Sequence, residues 1–326
     1  MTEYETPALE IDGLGVRLPG EQAARPILDG VTLRVDAGET VGLVGESGSG
    51  KSVACRSVLG LLPPRALTSG EVRVAGRDVL SMNRAELAGL RAGQVAMIFQ
   101  DPRASVNPLR RVGDFLTEGL RGAGTPAAVA EKRAEELLDA VGLRDPRGAL
   151  RRYPHQFSGG MLQRVVIAAA LAGEPALLVA DEPTTALDVT TQAEIIAILT
   201  RLQAARGTGM LFVTHDLELA SAICDRVYVM YAGRIVETSG TDALFDRPRH
   251  PYTAGLLACT PRIEAGAAAP RPIPGRPVSL AEAPPGCAFA ARCAHAQPRC
   301  CEETPELAHN GDGLTACHRA DEGIEL

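Results

Sequence analysis

The run Gly45-Glu46-Ser47-Gly48-Ser49-Gly50-Lys51-Ser52 constrains this chain more than any other feature. Its spacing, G-x-x-x-x-G-K-[ST], works where a strand ends and a helix begins within one tight loop, because the phosphates it cradles sit on the helix N-terminus. The flanks meet that demand. Thr40–Val44 reads as a short buried strand, and residues 51–62 read as a helix with apolar Val53, Ala54, Val58 and Leu61. The glycines let backbone N–H groups approach phosphate oxygens, Lys51 reaches the β and γ groups, and the Ser52 hydroxyl takes Mg²⁺. Of 33 basic residues only Lys51 and Lys132 are lysine. A chain built on arginine keeps a lysine where a compact point charge must fit between oxygens. The bland alternative is a mere glycine turn, and the strand and helix on either side argue against it. The stretch from Gly45 to Val53 is therefore a predicted nucleotide site.

Composition narrows the classes. At 326 residues the chain can bury a substantial core and is expected to form more than one domain. Its longest apolar stretch, residues 165–173, falls far short of the roughly 20 residues that cross a bilayer. The start, Met1-Thr2-Glu3-Tyr4-Glu5, lacks the basic region and apolar core of a secretory signal. A soluble chain is expected, with no direct bilayer span and any membrane role exercised through a partner. The formal net charge of −7 gives no general attraction to phosphodiester backbones, so no nucleic-acid partner is expected.

Residues 1–100 alternate short β-type runs with glycine turns, residues 102–157 turn helical, and strand–helix alternation then returns with apolar runs at 176–180 and 210–214. This predicts an α/β core interrupted by a helical insert. The proline-rich stretch 264–285 reads as an extended linker to a small cysteine-bearing tail.

Further chemistry is placed by strand ends. The run 177–182 is an apolar strand closing on two carboxylates: Asp181 is a candidate water-mediated Mg²⁺ ligand, and Glu182 a candidate base for the water that attacks the γ-phosphate. Ser158, Gly159 and Gly160 open a helical run, giving either an ordinary N-cap or a second anion cradle. With one phosphate-loop lysine for two cradles, the economical reading is that this one grips nucleotide held by another subunit. His215 follows a strand and is a candidate contact to the γ-phosphate and the attacking water. Gln100, ending the strand 95–99, is a candidate Mg²⁺ ligand at the start of the helical insert.

Together these residues, in this order, resemble the ATP-binding subunits of ABC transporters. The stretches 157–164, 185–189, 231–237 and 250–253 are more narrowly similar to the oligopeptide/dipeptide (and nickel) importer branch. The resemblance implies an α/β, RecA-like P-loop NTPase core with an antiparallel β subdomain, a helical subdomain at about 101–160, and a small Cys-rich tail. The ATPase domain would span 5–262 and the C-terminal extension 263–326. It implies ATP hydrolysis driving uptake of oligopeptides or dipeptides, with a nickel or other solute importer of the same branch, or a soluble non-transport ABC ATPase, as the alternatives. It further implies a paralogous ATPase partner, two permeases, an extracytoplasmic binding protein, and a peripheral position on the cytoplasmic face of the membrane. It also aligns Leu18 with the position where the family stacks adenine on an aromatic ring. A leucine there gives up about 0.5–1.5 kcal/mol of ring stacking.

Five of eight cysteines fall in the last 40 residues: Cys287, Cys293, Cys300, Cys301 and Cys317. In a reducing compartment, soft ligands closing a small tail point to zinc or an iron–sulfur cluster, and the spacing alone does not choose between them. Cysteines that simply pack a small core are the alternative. The resemblance implies a [4Fe–4S] cluster on Cys287, Cys293, Cys300 and Cys317, with Cys301 as a substitute for its neighbour.

Overall fold

Three unbroken runs of burial organise the molecule: the strands Thr40–Val44, Leu177–Asp181 and Gly209–Thr214 expose almost nothing on either face. Strands covered on both sides belong to sheets sandwiched by helices, and parallel pairing follows from the helical crossovers. The computed structural model describes residues 6–20, 24–185, 187–260 and 270–320. Domain limits expected at 5, 262 and 263, the start of the linker, and Ala186 of the 185–189 motif lie outside the described residues. Among the described residues two compact units emerge, one within 1–9, 35–39 and 73–211, the other within 10–34, 40–72 and 212–326.

In the first unit, strand Val95–Ile98 pairs in parallel with Leu177–Asp181, Ile98 opposite Ala180. The helices Val112–Gly122, Ala127–Ala140 and Gly159–Leu171 pack together through Leu116, Ala134, Leu137, Leu138, Leu162 and Val166, all buried. This is the helical texture expected from residue 102 onward.

In the second unit, Thr40–Val44 pairs in parallel with Arg226–Tyr231, Val44 opposite Val229. Arg226–Tyr231 turns back antiparallel into Arg234–Gly240, with a bulge between Ile235 and Glu237. The hairpin Ala308–Asn310 and Gly313–Thr315 then pairs onto that strand, Thr315 opposite Glu237. The C-terminal residues are thus part of the same sheet as the strand that feeds the phosphate loop.

Sequence boundaries shift for local reasons. The helix after the loop runs Lys51–Val58 rather than to 62, because Gly60 takes a left-handed φ of 62° and its N–H closes on the Ser57 carbonyl. Residues 270–285 are not a free linker where described: Arg271 N–H donates to the Ala258 carbonyl at 2.9 Å, and Ile273 packs over Gly255. No helix among the described residues is long and apolar enough to cross a membrane.

Candidate functional site

The phosphate loop emerges from a buried strand and enters its helix through Gly50, whose φ of 109° excludes most side chains and whose added Cβ would meet Leu28 at 2.6 Å. Gly233 N–H pins the loop from outside, donating to the Ser49 carbonyl at 2.8 Å. Lys51 is 6% exposed and folds its ammonium back on the loop, donating to the carbonyls of Gly45 at 2.7 Å and Glu46 at 3.0 Å. Ser47, Gly48 and Ser52 are exposed, and Val53 is half-buried. The Ser49 hydroxyl is buried without a hydrogen-bond partner. An unsatisfied buried hydroxyl costs about 1–3 kcal/mol, a penalty that an incoming phosphate oxygen removes. The loop therefore fits a polyphosphate.

In the first unit, strand pairing brings Gln100 and Glu182 together from 82 residues apart: Gln100 Nε2 donates to Glu182 Oε2 at 2.8 Å. Thr185 Oγ1 donates to the same oxygen at 2.9 Å. Glu182 has a φ of 49°, in the left-handed region that a glutamate rarely adopts and that is held here by its neighbours. Asp181 ends the strand, 8% exposed. Asp188 caps helix Val189–Arg206 by accepting Thr191 N–H, and these Thr191 hydrogen bonds hold its carboxyl below the usual range.

Ser158 is the N-cap of helix Gly159–Leu171, accepting Met161 N–H at 3.3 Å. The ordinary cap is therefore present, but it does not account for Gly159. An added Cβ there would meet nothing closer than Leu187 at 3.9 Å, and no positive φ demands glycine. At Gly160 a Cβ would press on the Thr191 methyl at 2.5 Å. His215 stands exposed just past the strand Gly209–Thr214, and Leu18 is half-buried at the end of strand Leu9–Leu18.

Cys287, Cys293, Cys300 and Cys317 line one pocket with Phe289 and Ala290, as the tail reading expects, while Cys301 is exposed and lies outside it. Among the described residues no group of three His, Cys, Asp or Glu side chains is arranged to hold a metal ion, so this arrangement lends the expected [4Fe–4S] or zinc centre no support. Burial pushes the Cys287 thiol up to about 11 and raises Cys293 and Cys317, which favours the neutral thiol at each.

His250 closes the same pocket and is wholly buried; its Nδ1 caps helix Pro251–Cys259 by accepting Tyr252 N–H at 3.0 Å. Burial drives its pKa from 6.5 down to about 4. Above pH 6.5 the ring is neutral folded and unfolded, whereas between 6.5 and 4 only the unfolded chain takes the proton. Stability is thus lost as pH falls through that window, by on the order of 3 kcal/mol, and levels off below it. His250→Asn retains an acceptor and is expected to lose that part of the pH dependence in urea titrations. Identical slopes in both proteins would refute the assignment.

Thr185, Tyr252 and Arg292 were not singled out from sequence as site residues. For Thr185 the signal was its place three residues after Glu182; for the other two only the fold supplies one.

The description "ABC transporter" matches residues 28–185, and "Oligopeptide/dipeptide transporter, C-terminal region" matches 236–300. The oligopeptide transport ATP-binding protein OppD of Salmonella typhimurium is 43% identical over 99% of this chain and 98% of its own length. The chain belongs to the ABC transporter ATP-binding family. This ABC ATPase is also 43% identical to the dipeptide transport ATP-binding protein DppD of Bacillus subtilis, over 91% of this chain and 90% of that protein. Among solved structures, the dimeric ATP-binding cassette MJ0796 with bound ADP and phosphate superposes with a TM-score of 0.64. It is 28% identical and covers 72% of this chain and 98% of its own. The cbiO1 protein of Clostridium perfringens gives the same TM-score at 26% identity, covering 74% of this chain and 92% of its own. The ABC ATPase fold expected from the motifs is the fold observed.

Proposed function

We propose that this ABC ATPase hydrolyses ATP to drive uptake of oligopeptides or dipeptides through two partner permeases. The observation that carries the reading is the near full-length identity to oligopeptide transport ATP-binding proteins, C-terminal region included. Lys51 and the loop from Gly45 to Val53 bind the triphosphate, Leu18 meets the adenine, and Ser52, Gln100 and Asp181 would hold Mg²⁺, which would supply neutralisation of phosphate charge. Glu182, oriented by Gln100 and Thr185, takes the proton of the attacking water, and His215 steadies that water.

The site is completed by a second ATPase subunit, a paralogue of this chain, whose counterparts of Ser158, Gly159 and Gly160 approach the γ-phosphate. The exposed helix start and the bare face at Gly159 support that reading. The helical subdomain at 101–160 meets the permeases on the cytoplasmic face of the membrane, and an extracytoplasmic binding protein selects the solute. Copurified complex in proteoliposomes is expected to accumulate labelled peptide only with ATP. Nickel uptake without peptide uptake would reassign the substrate within the branch.

The tail cysteines support a further reading, of their own pocket. Four thiols line one pocket whose walls carry no carboxylate, a donor set suited to a soft metal centre. Cys287, Cys293, Cys300 and Cys317 would hold a [4Fe–4S] cluster, or zinc, which would cross-link the tail when bound. Anaerobically purified protein is expected to be brown with about four iron per chain, a content lost in Cys287→Ser and kept in Cys301→Ser. Colourless, metal-free protein would leave the cysteines as core packing.

A further inference from the structure

Glu46 carries a negative charge inside a loop that binds anions, and the fold answers it from 246 residues away. The Arg292 guanidinium, its side chain 5% exposed, forms a two-pronged pair with that carboxylate: Nη1 donates to Oε2 at 2.6 Å and Nη2 to Oε1 at 3.0 Å. Arg292 is itself held rigidly. Its Nε donates to the Pro274 carbonyl at 2.9 Å, and its charge lies 5.8 and 5.7 Å from the ring centres of Tyr231 and Phe289. The rest of Glu46 is fixed as well, its N–H donating to the Tyr252 hydroxyl at 2.9 Å and its carbonyl accepting from Lys51. Tyr252, Tyr231 and Phe289 pack ring on ring at 4.6 to 5.4 Å, joining these anchors into one block.

From this geometry we propose that Arg292 is a positioning residue for ATP: it neutralises Glu46 and holds the phosphate loop in its binding shape, so that the C-terminal region is a working part of the nucleotide site. The proposal rests on the ATP reading of the loop. An arginine suits the task because its planar fork matches both carboxylate oxygens, which a lysine cannot do. With Arg292 removed, Glu46 would keep its charge beside an incoming triphosphate, and repulsion of one unit charge at the loop weakens binding by about tenfold. Linkage makes the effect reciprocal, so bound ATP slows hydrogen exchange in residues 286–300.

The test is a double-mutant cycle on the full chain, read by ATP titration and by the kinetics of the reconstituted complex. Arg292→Ala is expected to raise the ATP Kd and KM about tenfold with kcat changed less than about threefold. Arg292→Lys is expected to recover only part of the affinity. In the Glu46→Gln background, Arg292→Ala is expected to have almost no further effect on Kd, because the unanswered charge is gone. Equal effects of Arg292→Ala with and without Glu46→Gln, or a lowered Tm with unchanged Kd and KM, would overturn the proposal. Should Arg292→Ala fail to fold, the cycle is run with Arg292→Lys, where wild-type Kd and KM would overturn it. Binding by the wild-type chain that is lost in Lys51→Ala tests the ATP reading separately.

Discussion

Glu182→Gln is expected to lower kcat for ATP hydrolysis by about a thousandfold while leaving the ATP Kd within about twofold of wild type. The two halves of this expectation have separate causes. An amide cannot accept the proton of an attacking water, and general-base catalysis supplies about 10²–10⁴ of rate. Glutamine nevertheless keeps the shape of the site, since its carbonyl oxygen can accept the hydrogen bonds that Gln100 Nε2 and Thr185 Oγ1 now give to Glu182. The strained φ of 49° is a backbone property that the substitution does not touch. Turnover near the wild-type level in single-turnover assays would move the base to another residue.

Gly159→Asp is expected to separate stability from activity in opposite directions. At the first helical position after the Ser158 cap an aspartate interacts favourably with the helix dipole by about 0.3–1 kcal/mol, and there is room for its side chain within the chain itself. Tm is therefore expected to hold or rise slightly. In the assembled complex the same carboxylate would face the γ-phosphate bound to the partner subunit, and turnover is expected to fall at least about a hundredfold, comparable to losing one preorganised anion donor. ATP binding to the isolated chain should be unaffected. An active Gly159→Asp complex would show that this helix start grips no phosphate, and with it the two-subunit site would fail.

What was legible in the sequence, and what was not, divides by range. The phosphate loop could be read because every demand on it is local: glycines where the backbone turns, Lys51 within reach of its own loop, apolar runs on both sides. The pairing of Gln100 with Glu182 was half legible. Both ended strands, but their contact depended on Val95–Ile98 lying beside Leu177–Asp181. The tail misled more. Its prolines suggested a spacer, whereas residues 270–285 and the hairpin near Thr315 are tied to the body by backbone hydrogen bonds that composition does not report.

The sequence by itself determined the groups available: a phosphate loop, a carboxylate after a buried strand, a capped helix start and a cluster of thiols, each encoded within a short stretch of chain. Only the tertiary structure decided which of these groups meet. It set Arg292 against Glu46, gathered four cysteines into one pocket while leaving Cys301 outside, and raised the Cys287, Cys293 and Cys317 thiols by burying them. The reason is physical. A spacing pattern records periodicity along the chain, whereas a contact 246 residues apart depends on how helices and sheets pack, and on the desolvation that packing imposes on every charge it encloses.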